Sequence, residues 1–192
     1  MTTAPPLVFD ATREFLRRYP PFNRMSDDAL EFVIPRLELA YFARDATLLS
    51  PQSGDVAFLY VVQRGSVGSR PADPRADPDP ALGAGDLFPV GALSAGGPTT
   101  KVYTAVQDTF CYRLAREDFV ELRQRSPEFE RWCTQAITET LKQSLAQLSS
   151  RYGERAAEEQ TLARPLSELV RRAPIACAAS RPLAEALAAM ND

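Results

Sequence analysis

The chain has 192 residues, with 22 Lys+Arg against 25 Asp+Glu for a formal charge of −3, and 45% of it is apolar. That suits one compact domain plus an appendage, since domains run roughly 100–200 residues, and it excludes wholesale disorder. The mild acidity argues against a nucleic-acid or membrane-surface binder, which needs a basic stripe, and the absence of histidine removes His-ligated metals, Ser-His-Asp and Cys-His nucleophiles and any His general base together.

No apolar run reaches the ~18 residues that span a bilayer, and no charged-then-apolar leader opens the chain. Cys111, Cys133 and Cys177 have no metal or redox spacing, so the expected setting is a reduced cytoplasm. Met1 to Leu7 reads as a loose lead, and Asp10 as the cap of a short helix carrying Phe15, Leu16 and Tyr19, which Pro20-Pro21 ends. Ser26 caps a second helix with Asp27 and Asp28 in its first turn, where acids suit the dipole. Ala29, Leu30, Phe32, Val33 and Leu37 form its apolar side, and Pro35 disturbs its end.

From Leu39 the periodicity changes to strand, turn and strand, through Tyr41-Phe42, Asp45 and Leu48-Leu49. Val56 to Val62 is a short apolar run rich in β-formers and reads as a buried strand. Gly65 to Pro80 carries Pro71, Pro74, Pro78 and Pro80, and prolines that dense cannot join a central ladder; a hairpin interrupted by a long loop is expected. Thr99–Ala105 and Phe110–Leu114 are strand-like, with Gln107-Asp108 between them. Phe119, Val120 and Leu122 mark a short helix, and Ser126-Pro127-Glu128 is a strong helix start. Phe129, Trp132, Cys133, Ala136 and Ile137 should pack that helix onto the domain, with Trp132 as a core anchor. Leu141, Leu145, Leu148 and Tyr152 continue at spacings of four, three and four, a coiled-coil seam that either pairs two chains or packs onto the same chain's roll, with a homodimer the favoured reading. The expected fold is mainly β with flanking helices: an antiparallel β-roll of the jelly-roll kind, then a long C-terminal helix.

Several pieces, in order, resemble a cyclic-nucleotide-binding domain. They are Phe15-Leu16 with Pro20-Pro21-Phe22, Tyr41 to Ala46 with Leu48-Leu49, Phe58 to Val62 with Gly65, Gly85-Asp86-Leu87-Phe88, and Ala105, Asp108, Cys111 to Leu114 with Asp118-Phe119. Together they cover Phe15 to Phe129, about three fifths of the chain. The resemblance implies a regulatory sensor whose candidate site is Gly85, Asp86, Phe88, Val90, Gly91, Ala92, Leu93, Thr99, Thr100 and Lys101. The implied ligand is a cyclic nucleotide or another small anion, weakly held. No certain cofactor, metal or catalytic set follows, and the fragment reads as non-enzymatic.

The physics of such a cassette is general. A short helix offers free N–H groups to a phosphate, an Arg supplies a forked charge, and a Glu accepts from the ribose hydroxyl. The family pattern is roughly Phe-Gly-Glu-x-Ala-Leu with an Arg a few residues on. Phe88, Ala92 and Leu93 match, whereas Pro89 replaces the glycine, Val90 the Glu and Thr99 the Arg, leaving Lys101 as the nearest cation. Each lost charged contact costs roughly 1.5–3 kcal/mol, so the two together weaken cAMP or cGMP binding by several hundred-fold or more.

The tail carries a second resemblance. Pro165 to Pro174 followed by Arg181 to Met190 looks like the opening of a CBS domain. A complete copy needs about 50–60 residues, so a truncated piece is expected. The expected organisation is residues 8–125 as the β-roll with its N-terminal helices, 126–163 as long helix and connector, and 164–192 as the start of a CBS-like domain. The combination resembles bacterial signal-transduction proteins with cyclic-nucleotide-binding-like, CBS and nucleotidyltransferase domains. The downstream domains of the same chain are then partners, and nucleic acid and membrane are not. Two rival readings are a degenerate module that only dimerises and couples domains, and a catabolite-activator-type transcription factor. The latter needs a basic helix-turn-helix after the long helix, for which residues 163–192 are too few. Gly68-Ser69 with Asp77-Pro78-Asp79 superficially matches a nucleotidyltransferase metal site. Its prolines deny the rigid strand that two carboxylates need for Mg²⁺, and a solvated acidic loop is expected instead. Arg17-Arg18 and Arg171-Arg172 read as solvated charge pairs.

Overall fold

The structure, a computed structural model, describes residues 6–72 and 78–142, with Leu145; the predicted CBS-like segment 164–192 and its Arg171-Arg172 pair lie outside the described residues. Helix α1 spans Pro6–Leu16. The proposed Asp10 cap therefore sits inside the helix: Pro6 takes the first helical position, where its missing N–H costs nothing. Helix α2, Asp27–Val33, begins where its sequence asks it to. Ser26 accepts a hydrogen bond from the Ala29 N–H, and Ala29, Leu30, Phe32 and Val33 are buried. Pro35 falls in a 3₁₀ turn, Ile34–Arg36, which closes the helix.

Among the described residues seven short strands follow: β1 (Glu38–Phe42), β2 (Thr47–Leu49), β3 (Phe58–Arg64), β4 (Val67–Pro71), β5 (Leu87–Phe88), β6 (Lys101–Ala105) and β7 (Thr109–Ala115). They form two antiparallel sheets, ordered β1-β7-β3-β5 and β2-β6-β4. Chain neighbours thus alternate between sheets. In particular β3 and β4 do not pair. Instead β3 is bonded to β5 and β7, and β4 to β6, while Val67 and Leu82, on either side of the proline-rich stretch, form the antiparallel bridge of the expected interrupted hairpin. Proline density still has its effect, since Pro71 terminates β4. Helix α3 spans Val90–Ala95 and α4 spans Arg116–Arg125. A further helix, α5, covers 127–142. Buried Ser126 caps it by accepting from the Phe129 N–H at 3.3 Å.

Strand β3 is buried on both faces, as its apolar run implies, because it has a different core on each side. Leu59 and Val61 face the first core, with Leu16, Leu30, Val33, Leu93, Leu114, Phe119, Leu122, Phe129 and Cys133. Fully burying a side chain of this kind stabilises by about 1.5–3 kcal/mol, which is what clamps α1, α2, α4 and α5 to the outside of the sheet. Trp132 stacks on Phe129 at 6.4 Å and packs against this core. Val120 faces outward, 42% exposed. Tyr60 and Val62 face the second core, the interior of the roll, with Leu49, Val67, Phe88, Tyr103 and Cys111. The fold is therefore the expected antiparallel β-roll with flanking helices. Among the described residues no helix is long and apolar enough to cross a membrane.

Candidate functional site

The predicted site residues separate by the work each side chain does. Gly85 holds φ +89°, and a Cβ there would collide with the Tyr19 ring; its N–H donates to the Val62 carbonyl at 2.8 Å. The Asp86 carboxylate accepts from the Gly83 N–H at 2.7 Å. The Gly-Asp pair thus builds the turn that delivers β5 to the edge of β3, where Tyr60 pairs with Phe88 and Val61 with Leu87. In this turn the acid spends its side chain on its own loop.

The following residues are drawn into the two cores. Phe88, 2% exposed, lies between two tyrosine rings inside the roll. It stacks on Tyr60 at 5.2 Å between centroids and on Tyr103 at 4.8 Å. Phe42 approaches Tyr60 edge-on at 6.1 Å. Such ring pairs add about 0.5–1.5 kcal/mol each beyond the area they bury. Val90 and Leu93 belong to the outer core, and Ala92 packs against it. Val90 is 7% exposed and apolar, so the place of the family's sugar-binding acid is filled by a core side chain. Gly91 is exposed, and a Cβ there would meet open space. Helix α3 is capped by Pro89, which brings no N–H of its own.

The polar half of the site lies on the inward face of β4 and β6. Ser69 pairs directly with Tyr103, and Pro71 with Lys101. Residues opposite one another, and residues two apart, share a face, so Ser69, Lys101 and Tyr103 point the same way. Thr99 is 4% exposed, and its hydroxyl accepts from the Lys101 N–H at 3.1 Å. The exposed Thr100 contributes its carbonyl to the Ala72 N–H at 3.1 Å. Lys101 donates to Asp79 Oδ2 at 2.8 Å, and Ser69 Oγ donates to the same oxygen at 2.6 Å.

Asp79 is the residue sequence reasoning missed. The acidic loop is not wholly solvated: the Asp79 side chain is 21% exposed, and its N–H donates to the Ser69 carbonyl at 2.9 Å. Burial works against its charge, but the Lys101 ammonium and the Ser69 hydroxyl outweigh it and hold the carboxyl below its ordinary value. Burial, reinforced by the Asp79 carboxylate, pushes the Tyr103 phenol up to about 12, with Thr99 pulling the other way. The clue lay in the pairing: Ser69 and Lys101 are polar residues at inward-facing positions, and buried polar groups need partners. Its partner Asp77 in the supposed metal motif lies outside the described residues.

Elsewhere, a cleft of about 460 Å³ lined by Arg44, Arg64, Gly65, Gln107 and Asp108 lies among the connecting turns. Among the described residues no cluster of metal-ligating side chains forms. Arg17 and Arg18 are engaged rather than free: Arg17 with Asp27 and the Met25 carbonyl, Arg18 with Glu14. Of the predicted seam, Leu141 and Leu145 are 59% and 63% exposed, and Leu148 and Tyr152 lie outside the described residues.

No protein-family model matches the chain, and no curated protein matches it. Solved structures do share its fold. The chain is similar to the catabolite activator protein of Thermus thermophilus, with a TM-score of 0.57 and 21% identity over 66% of this chain and 60% of that one. It is similar to the regulatory domain of Toxoplasma gondii PKA, solved with cAMP, with a TM-score of 0.55 and 23% identity over 62% of this chain and 46% of that one. It is also similar to the sensor domain of the transcriptional regulator DNR from Pseudomonas aeruginosa, with a TM-score of 0.55 and 13% identity over 67% and 91%. The chain therefore spans less than two thirds of the first two proteins. What it shares with all three is the β-roll fold.

Proposed function

We propose that this chain is a regulatory, non-enzymatic domain of the cyclic-nucleotide-binding fold, one that couples neighbouring domains without taking cyclic nucleotide in the family's manner. The observation that carries this reading is the Tyr60-Phe88-Tyr103 stack, which fills the roll interior with the chain's own rings. The polar groups point the same way. Val90 sits in the outer core where a ribose acceptor is needed, and Thr99, its hydroxyl engaged by the Lys101 N–H, stands where a guanidinium is needed. Lys101, the cation of the candidate cassette, already has a carboxylate. Isothermal titration of the chain with cAMP and cGMP tests this. Dissociation constants weaker than about 1 mM are expected, from the loss of two charged contacts, and micromolar binding of either nucleotide overturns the reading.

The finer architecture is proposed on sequence alone. Residues 164–192 open a CBS-like domain, and the whole belongs to a signal-transduction protein with a nucleotidyltransferase region, which the mass and downstream sequence of the native protein check directly. A homodimer formed through Leu141, Leu145, Leu148 and Tyr152 completes the proposal. Its support is the seam spacing and the exposure of Leu141.

A further inference from the structure

We infer that Asp79 is a built-in anion: its carboxylate occupies an oxyanion seat made by Ser69 and Lys101 inside the roll, and that seat accepts a free oxyanion once the carboxylate is removed. Four features of the site support this. Ser69 Oγ and Lys101 Nζ converge on a single atom, Asp79 Oδ2, at 2.6 and 2.8 Å. Both donors stand on diagonally neighbouring positions of one face of paired strands, so the seat is fixed by the ladder rather than by the loop that supplies the acid. Ser69 is 6% exposed and the Lys101 side chain 25%, which keeps water from competing fully for the charge. The acid itself arrives on a proline-rich stretch that cannot complete a strand. It is held by one backbone bond to Ser69 and, three residues on, by the bridge from Leu82 to Val67.

An ammonium and a hydroxyl aimed at one oxygen form a recognition element for carboxylates and phosphates alike. With Asp79 in place, the module carries the counter-charge that a diffusible anion would otherwise bring. The inference accompanies the proposed closure of the roll by its own side chains, but the two fail separately. Cyclic-nucleotide binding by the unmodified chain sinks the earlier proposal, and the experiment below decides this one.

The test is thermal unfolding of the full chain, of Asp79→Ala and of Asp79→Ala with Lys101→Met, in sodium acetate, sodium phosphate and sodium chloride at matched ionic strength. The unmodified chain should melt alike in all three. Asp79→Ala should gain about 5 °C in acetate or phosphate over chloride at roughly 50 mM, if the vacated seat binds with a Kd near ~1 mM. The gain should vanish in the double variant. A response to acetate alone defines a carboxylate-sized seat, and a response to phosphate defines a larger one; either supports the inference. Equal melting of Asp79→Ala in all three salts overturns it, as does an undiminished response in the double variant. Should Asp79→Ala fail to fold in chloride, recovery of its circular dichroism by acetate or phosphate is the supporting result, and no recovery is the refuting one.

Discussion

Truncating Phe88 to alanine should cost about 3–5 kcal/mol of folding stability, the range for a large aromatic removed from a core that cannot collapse. The structure explains why the upper part of that range is expected. The ring is 2% exposed, so nearly all of its transfer free energy, about 1.5–3 kcal/mol, is at stake. Two stacked contacts, at 5.2 Å with Tyr60 and 4.8 Å with Tyr103, each carry about 0.5–1.5 kcal/mol more. The flanking tyrosines stand on β3 and β6, in different sheets, so neither can swing in to fill the void without disturbing a ladder. Equilibrium urea unfolding of the wild type, Phe88→Ala, Tyr103→Ala and the double variant gives both numbers needed. The single variant should lose about 3–5 kcal/mol, and the cycle should return a coupling of about 0.5–1.5 kcal/mol between Phe88 and Tyr103. A loss below about 1 kcal/mol for Phe88→Ala, far under the expected range, or additivity of the two, would refute the idea that the roll interior is a solid aromatic core.

Alkali should destabilise the protein. Tyr103 is held at about 12, by burial and then by Asp79, while burial pushes Cys111 to about 12 and is the main influence raising Cys133 to the same value. All three folded values lie above the unfolded ones of 10.0 and 9.0, so this contribution is complete below about pH 9 and is lost as pH rises toward 12, at up to about 1.4 kcal/mol per pH unit per group. A urea midpoint unchanged between about pH 8 and 10.5 would contradict it, and Tyr103→Phe should flatten the slope. Within the Gly-Asp-x-Phe segment and the helix after it, Gly85→Ala should be disruptive through its positive φ and the Tyr19 ring. Gly91→Ala, facing open space in α3, should be neutral or stabilising by up to about 1 kcal/mol; equal melting temperatures for Gly85→Ala and the wild type would count against the turn role. Leu141→Glu with Leu145→Glu should shift a sedimenting dimer to monomer, and an unchanged sedimentation coefficient would remove the seam.

Local chemistry was legible and long-range pairing was not. Ser26 and Ser126 announce their helices because an N-cap is settled within four residues. The run Phe58 to Val62 reveals a strand buried on both faces because an unbroken apolar run leaves no polar side for water. Neither signal says which strand lies alongside: β3 and β4 are joined by a short turn yet belong to separate sheets. The site shows the same divide. The loss of the acid at Val90 and of the guanidinium at Thr99 can be read from residue type. That Phe88 would be sandwiched by Tyr60 and Tyr103, residues 28 positions before and 15 after it, depends on how the sheets close. Asp79 was misjudged for a related reason: prolines around it deny a regular strand, but one carboxylate needs no strand to reach a lysine on the strand beside it.

Phe88 is rooted in the inner core, whereas Val90 and Leu93, two and five residues later, are rooted in the outer one. That short stretch is a stitch through the wall of the barrel, joining its lining to its helical coat. Any rearrangement of the lining must either tug on the coat or pull a side chain out of it, at about 1.5–3 kcal/mol per large residue freed. Inside and outside are thus mechanically bound along this stretch as well as along β3.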